Sequence, residues 1–264
     1  TTLLRSQATA LTKDFGGLRA VNSVDIEVRR NEIVALIGPN GAGKTTFFNC
    51  VTGVYTPTHG DVIISPPESP KEESIKGLKP SKITSKGLAR TFQNVRLFPN
   101  MTVLENVMIG RHSRLKAGVL GAIFRNKATR IEEERVLHDS YQVLKKIGID
   151  QYVNELAKNL PYGAQRRLEI ARALATEPFL LLLDEPAAGM NPQETKRLED
   201  LILRLRDTED LTIFLIEHDM SLVMSLSERI YVMDYGKLIA EGTPSQVKNN
   251  PEVIKAYLGE EVSA

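Results

Sequence analysis

Apolar residues fall into two kinds of pattern along this chain. The runs at 33–37, 179–183 and 212–216 are continuously hydrophobic, too short for a helix and without alternation. A strand covered on both faces has that signature, as in a parallel sheet. Helical patterns lie between and after these runs, which points to an α/β core. By contrast, Val24-Asp25-Ile26-Glu27-Val28 alternates apolar with acidic, as a half-exposed strand does. Residues 230–233, then Asp234-Tyr235-Gly236, then 238–240, read as a hairpin. An antiparallel element is therefore expected near the edges of the parallel core.

From 101 to about 147 the spacing is helical. Leu137, Tyr141, Leu144 and Gly148 share one face, with Glu132, Glu133, Glu134, Lys145 and Lys146 available for the wet one. This predicts a helical insertion between core strands. Just upstream, 65–85 is rich in Pro, Ser, Lys and Glu and reads as a solvated excursion. Thr243-Pro244 predicts a cap followed by proline at the first helical position, with short helices running on to Gly259. No internal repeat is present.

Composition narrows the function. The 264 residues suit one large domain or two intimate subdomains. Lys+Arg is 34 against Asp+Glu 33, so nothing suggests an extended polyanion surface, and no nucleic-acid partner is expected. With Cys50 as the single cysteine, no internal disulfide can form, and a reducing compartment is the simple reading. The apolar stretches are only a few residues long, whereas a membrane-spanning helix needs about 20. No basic region followed by an apolar run opens the chain, so no export signal is expected. Work at a membrane would require a partner to bring the chain there.

The chemistry is concentrated at two strand ends. Gly38-Pro39-Asn40-Gly41-Ala42-Gly43-Lys44-Thr45-Thr46 follows the first buried run and leads into a helical stretch. It fits the phosphate-loop pattern of Gly, four residues, then Gly-Lys-Ser/Thr. The glycines let the backbone wrap closely, so that N–H groups between Asn40 and Thr46 converge on phosphates at a helix N-terminus. Lys44 would neutralise the β and γ phosphates, and the Thr45 hydroxyl would ligate Mg²⁺. The second site is Leu180-Leu181-Leu182-Leu183-Asp184-Glu185, an apolar strand delivering two carboxylates where ligands of α/β sheets sit. Asp184 would hold the metal shell, and Glu185 would polarise the attacking water. His59, His112 and His138 lack metal-like spacing, and Cys50 reads as a small core residue.

Leu160-Pro161-Tyr162-Gly163-Ala164-Gln165-Arg166-Arg167, just upstream of the acidic strand, resembles the signature motif of the ATP-binding cassette family. The resemblance spans essentially the whole chain. Gln93, in Arg90-Thr91-Phe92-Gln93, looks like the family's Q-loop glutamine, with a role toward the metal and the reaction. His218, in Ile216-Glu217-His218-Asp219, looks like its switch histidine, and Phe15 like its adenine-stacking aromatic. Tyr162, Gly163 and Gln165 would then meet nucleotide across a dimer. The implied fold is a P-loop NTPase of the cassette type: a nucleotide-binding core at 1–93 and 166–264 with antiparallel β elements, and an inserted helical signature subdomain at 94–165.

A finer resemblance is to the nucleotide-binding subunits of branched-chain amino-acid importers, carried by Arg166-Arg167-Leu168-Glu169-Ile170-Ala171-Arg172, by 184–192 and by Ala256-Tyr257-Leu258-Gly259. It implies ATP hydrolysis with Mg²⁺ on the cytoplasmic face of the inner membrane, as a peripheral subunit. It also implies two transmembrane permease subunits, a second ATPase subunit and, indirectly, a substrate-binding protein. Pro161 and Tyr162 stand where the commonest signature has Ser and Gly, and Asn191 where the family usually has Asp. These departures suggest a non-identical partner. The competing readings are a lipid- or lipopolysaccharide-extracting branch of the same family, and a soluble cassette protein without a transport role.

Overall fold

The computed structural model describes residues 4–67, 69, 71–93, 95–111 and 127–261. His112 lies outside the described residues, as do Asn94, Glu68 and Pro70. In chain order the elements are β1 (Leu4–Phe15), β2 (Leu18–Arg29), β3 (Ile33–Ile37), α1 (Lys44–Val51), β4 (His59–Ile64), β5 (Glu73–Ser74), α2 (Pro80–Ser85) and β6 (Leu88–Arg90). Helices α3 (Val103–Arg111), α4 (Lys127–Ile147) and α5 (Tyr162–Leu174) follow. The chain then returns through β7 (Leu180–Asp184), α6 (Pro192–Glu209), β8 (Thr212–Ile216), α7 (Met220–Leu226), β9 (Arg229–Asp234), β10 (Lys237–Gly242), α8 (Pro244–Lys248) and α9 (Pro251–Glu261). Two compact units result: the chain through Arg90 together with the chain from Phe179 onward, and Thr91–Pro178.

The first unit is built on a six-stranded sheet in the order β10-β9-β3-β8-β7-β6. All neighbours run parallel except the β9–β10 hairpin. Every residue of β3, β7 and β8 is buried, which is why β3 and the stretches 180–183 and 213–216 are apolar without alternation. A second sheet, β2-β1-β4-β5, is antiparallel. In β2 the alternation of Val24, Ile26 and Val28 with Asp25 and Glu27 turns the apolar set inward. Phe47 and Phe48 of α1 pack on Phe214 of β8, fastening the helix behind the phosphate loop to the sheet. Cys50, on the same helix, is buried, and burial pushes its thiol up to about 11.

The stretch 65–85 departs from its reading as a solvated excursion. Strand β5 pairs with β4, Lys86 pairs with Glu73, and Ile75 and Ile83 are buried in the core of this unit. Two apolar side chains without a repeat period anchor an otherwise polar segment, so periodicity alone does not reveal them.

In the helical unit, α5 packs against both α3 and α4. Gly110 permits the closest approach: a Cβ there would sit 2.4 Å from the Arg172 carbonyl oxygen. Arg111 donates to Asp139 at 2.8 Å and to Glu177 at 2.9 Å. The buried stripe of α4 runs through Val136, Ser140, Leu144 and Ile147, while Leu137 is 50% exposed. The inward face is thus rotated by about one residue from the expected one, because Ser140 takes an interior position. The second boundary between units falls at Pro178/Phe179 rather than at 165/166. Helix α5 buries Leu168, Ile170, Ala171 and Ala173, so it travels with its helical neighbours. Among the described residues no helix is long and apolar enough to cross a membrane.

Candidate nucleotide site

Parallel β3, β7 and β8 end on one edge of the sheet, and each end carries candidate chemistry. From β3 the chain turns through Gly38, Gly41 and Gly43, all at positive φ (148°, 76° and 99°). A Cβ on Gly38 would lie 2.0 Å from the Met233 carbonyl oxygen, and one on Gly43 2.4 Å from that of Ala20. Glycine is therefore required at both positions by space and by conformation. Gly43 precedes α1, so the first-turn N–H groups open onto this loop. Lys44 is buried, and its ammonium donates to the Gly38 carbonyl at 2.6 Å and the Pro39 carbonyl at 2.8 Å, which holds it over the loop. Asn40, Gly41 and Thr45 are exposed, Ala42 is buried and Thr46 half-buried.

At the end of β7, Asp184 is 2% exposed and pairs with Arg90, the guanidinium donating to Oδ2 at 2.6 Å. The same guanidinium donates to Asn49 Oδ1 at 2.8 Å and Thr52 Oγ1 at 3.0 Å. Arg90 thereby ties α1, which starts at the phosphate loop, to the strand carrying Asp184. Glu185 has φ +50°, a left-handed conformation costly for a non-glycine residue. Its N–H donates to the Ile216 carbonyl at 2.9 Å, at the end of β8. Its Oε1 lies 2.9 Å from His218 Nε2, so the two strand ends bring the acid and the histidine into hydrogen-bonding contact.

Between them lies Glu217, 3% exposed. Its Oε1 accepts the Ala187 N–H at 2.7 Å and its Oε2 the His218 N–H at 3.0 Å. Burial raises its pKa above the ordinary glutamate range; the backbone N–H bonds act against that, and nearby Glu185 adds to it. Phe15, at the end of β1, is 41% exposed. Its ring meets Tyr55 edge-on at 5.2 Å, and the Lys13 ammonium lies 5.0 Å from its centroid. An aromatic pair rather than a single ring forms this surface.

The remaining predicted residues belong to the helical unit. Arg166 of α5 donates to the Phe92 carbonyl at 3.1 Å and the Gln93 carbonyl at 2.6 Å, and Glu169 accepts the Phe92 N–H at 3.2 Å. One turn of α5 thus grips the backbone at Gln93. Desolvation holds the Glu169 carboxyl above its ordinary range. Pro161 caps α5, and its carbonyl accepts the N–H groups of Ala164 and Gln165. Gly163 is buried; Tyr162 is 41% exposed, and its hydroxyl accepts from Arg166 at 3.0 Å. The Gln165 amide donates to the Leu160 carbonyl at 2.9 Å.

Residues 21–188 match the family model described as ABC transporter. The chain belongs to the ATP-binding cassettes of ABC transporters. Residues 237–263 of the cassette match a second model, described as branched-chain amino acid ATP-binding cassette transporter. The cassette is 51% identical over 93% of its length to the high-affinity branched-chain amino acid transport ATP-binding protein LivG of Salmonella typhimurium, covering 94% of that protein. It is 48% identical over 96% of its length to BraF of Pseudomonas aeruginosa, described in the same terms, covering 97% of it. A solved cassette in its ADP conformation is 31% identical, with a TM-score of 0.83 over 98% of this chain and 100% of that one.

Three residues of the cassette's nucleotide-binding unit were not legible as site residues: Arg90, Glu217 and Tyr55. Each acts through a partner distant in sequence, and no local motif marks it. Among the described residues no cluster of three or more His, Cys, Asp or Glu forms a metal cage. The donors present are of another kind: the Thr45 hydroxyl at the start of α1 and the Asp184 carboxylate, on elements that Arg90 ties together. Oxygen donors with one carboxylate suit a magnesium ion that arrives on a nucleotide and completes its shell with phosphate and water.

Proposed function

We propose that this cassette is the ATP-hydrolysing subunit of an importer for branched-chain amino acids. The carrying observation is the placement of Lys44, Asp184, Glu185 and His218 at one sheet edge, in a chain that matches LivG over nearly its full length. In this reading the N–H groups of 40–46 cradle the phosphates and Lys44 neutralises them. Thr45 and Asp184 would hold a magnesium ion, which would supply charge neutralisation to the bound phosphates, and Gln93 would take the role toward the metal that the family resemblance implies. Glu185 accepts a proton from the attacking water, and His218, 2.9 Å from it, orients the carboxylate. Phe15, backed by Tyr55, stacks on adenine.

Tyr162, Gly163 and Gln165 meet the γ-phosphate of nucleotide held by a second ATPase subunit, non-identical to this one. Two permease subunits convert closure of the pair into transport, a substrate-binding protein delivers the amino acid, and the cassette sits peripherally on the cytoplasmic face of the membrane. ATP-driven leucine uptake by proteoliposomes containing the copurified complex tests this. Uptake that requires ATP and vanishes with Glu185→Gln is the expected result. A complex that hydrolyses ATP but moves no leucine, isoleucine or valine rejects the substrate class.

A further inference from the structure

The loop after β7 carries a strained residue at the point where chemistry is proposed. Glu185 sits at φ +50°, a conformation that persists in a non-glycine residue only when its surroundings hold it. The restraints are identifiable. The Glu185 N–H is bound by the last carbonyl of β8, Ile216, at 2.9 Å, and the Glu185 carbonyl accepts the Ala188 N–H at 3.2 Å. Between these points the Ala187 N–H is taken at 2.7 Å by the Glu217 side chain, which comes from the loop after β8.

Glu217 has no need to be charged for local reasons. The N-terminus of α7 is already capped by Asp219, whose Oδ1 accepts the N–H groups of Ser221 and Leu222. An apolar residue at 217 would suit a position that is 3% exposed, but it would leave the Ala187 and His218 N–H groups without this acceptor. A carboxylate has two oxygens and can serve two loops at once: Oε1 goes to the loop of Glu185, Oε2 to the backbone of His218.

We propose that Glu217 is a positioning residue, whose buried carboxylate cross-links the two loops and thereby sets the Glu185–His218 contact. Buried at 3% exposure, it acts through the two loops that it binds. It fixes the backbone from which both side chains project, and the 2.9 Å separation between them follows from that fixation. The inference rests on the reading of Glu185 as the base.

The test is Glu217→Gln in the full chain, with turnover measured in the assembled complex. Glutamine keeps the size but offers one acceptor oxygen and turns an amide donor toward an N–H group. Nucleotide affinity should stay within about twofold, while turnover falls about tenfold or more, because a small misplacement of reacting groups acts on the chemical step. The ring nitrogen signals of His218 in ¹⁵N spectra, identified by their loss in His218→Asn, should move toward those of exposed His59 and His138.

Unmoved His218 signals together with turnover within about twofold of the parent, while Glu185→Gln is inactive, would overturn the proposal. If Glu185→Gln itself retains turnover, the base assignment fails instead, and the His218 signals alone decide on the cross-link. Should Glu217→Gln not fold, Glu217→Asp is read by the same two measurements. Its shorter side chain keeps the charge and loses the reach to Ala187, so it should move the His218 signals as well.

Discussion

At the scale of single residues, Lys44 and Glu185 should fail in different ways. The Lys44 ammonium is held at 2.6 Å and 2.8 Å by two loop carbonyls and so is fixed before phosphate arrives. Lys44→Ala removes a contact made in both ground and transition states, so binding and hydrolysis should fall together. Glu185→Gln removes only proton acceptance, so the variant should retain ATP and lose turnover; equilibrium binding and single-turnover assays separate the two. Phe15→Ala should weaken ATP binding by about 1–3 kcal/mol, by analogy with base–aromatic stacking. Tyr55→Ala should cost less, since Tyr55 meets Phe15 edge-on and supports that ring from the side. Titration with a fluorescent nucleotide measures both, and unchanged affinity in Phe15→Ala would reject the stacking role. The phosphate-loop residues were legible because their pattern is local. Glu217 and Arg90 were not, because a glutamate before a histidine or an arginine at the end of a short strand has no meaning until the fold supplies the partners Ala187 and Asp184.

Among the elements, the sequence announced those with a clear hydrophobic signature. Strands β3, β7 and β8 and the β9–β10 hairpin follow from it, as does the α8 cap, where Thr243, just ahead of Pro244, forms a reciprocal pair with Gln246. The buried face of α4 differs from the expected one because Ser140 is buried while Leu137 is exposed, the reverse of what polarity suggests. Asn191, the departure from the family's aspartate, gains a local explanation. It caps α6, accepting the Glu194 N–H at 3.0 Å, while Glu194 accepts the Asn191 N–H at 3.1 Å. Asparagine serves that role about as well as aspartate. Asn191→Ala should therefore lower stability by about 1 kcal/mol, and Asn191→Asp should leave it nearly unchanged, as urea titration can show.

On the scale of the proposed complex, the altered signature should make the two nucleotide sites unequal. Pro161 opens α5 without a side-chain cap bond, and the Tyr162 hydroxyl is engaged by Arg166. The site that borrows this loop lacks the serine hydroxyl, so its transition state should be less stabilised. Mutating Glu185 and its counterpart in the partner one at a time in the whole complex checks this. Glu185→Gln should remove most of the ATPase activity and the partner's equivalent change less. Pro161→Ser with Tyr162→Gly should raise hydrolysis at the weaker site; no gain would show that the altered loop is not a handicap.

The position of β3 in the sheet bears on how the chain is made. Its neighbours are β8 and β9, both delivered late: the Asn31 N–H reaches the Thr212 hydroxyl across 181 residues of chain. At ribosomal speeds of about 5–20 residues per second, the central strand waits roughly 10–40 seconds for its partners to be synthesised. All of Thr91–Pro178 is translated within that interval, before β7 begins. The helical unit has the chance to fold first, while the fully apolar β3 stays without its sheet neighbours until β8 and β9 arrive. A premature stop anywhere before β8 should consequently yield not a smaller cassette but a nascent chain with an orphaned strand, prone to aggregation.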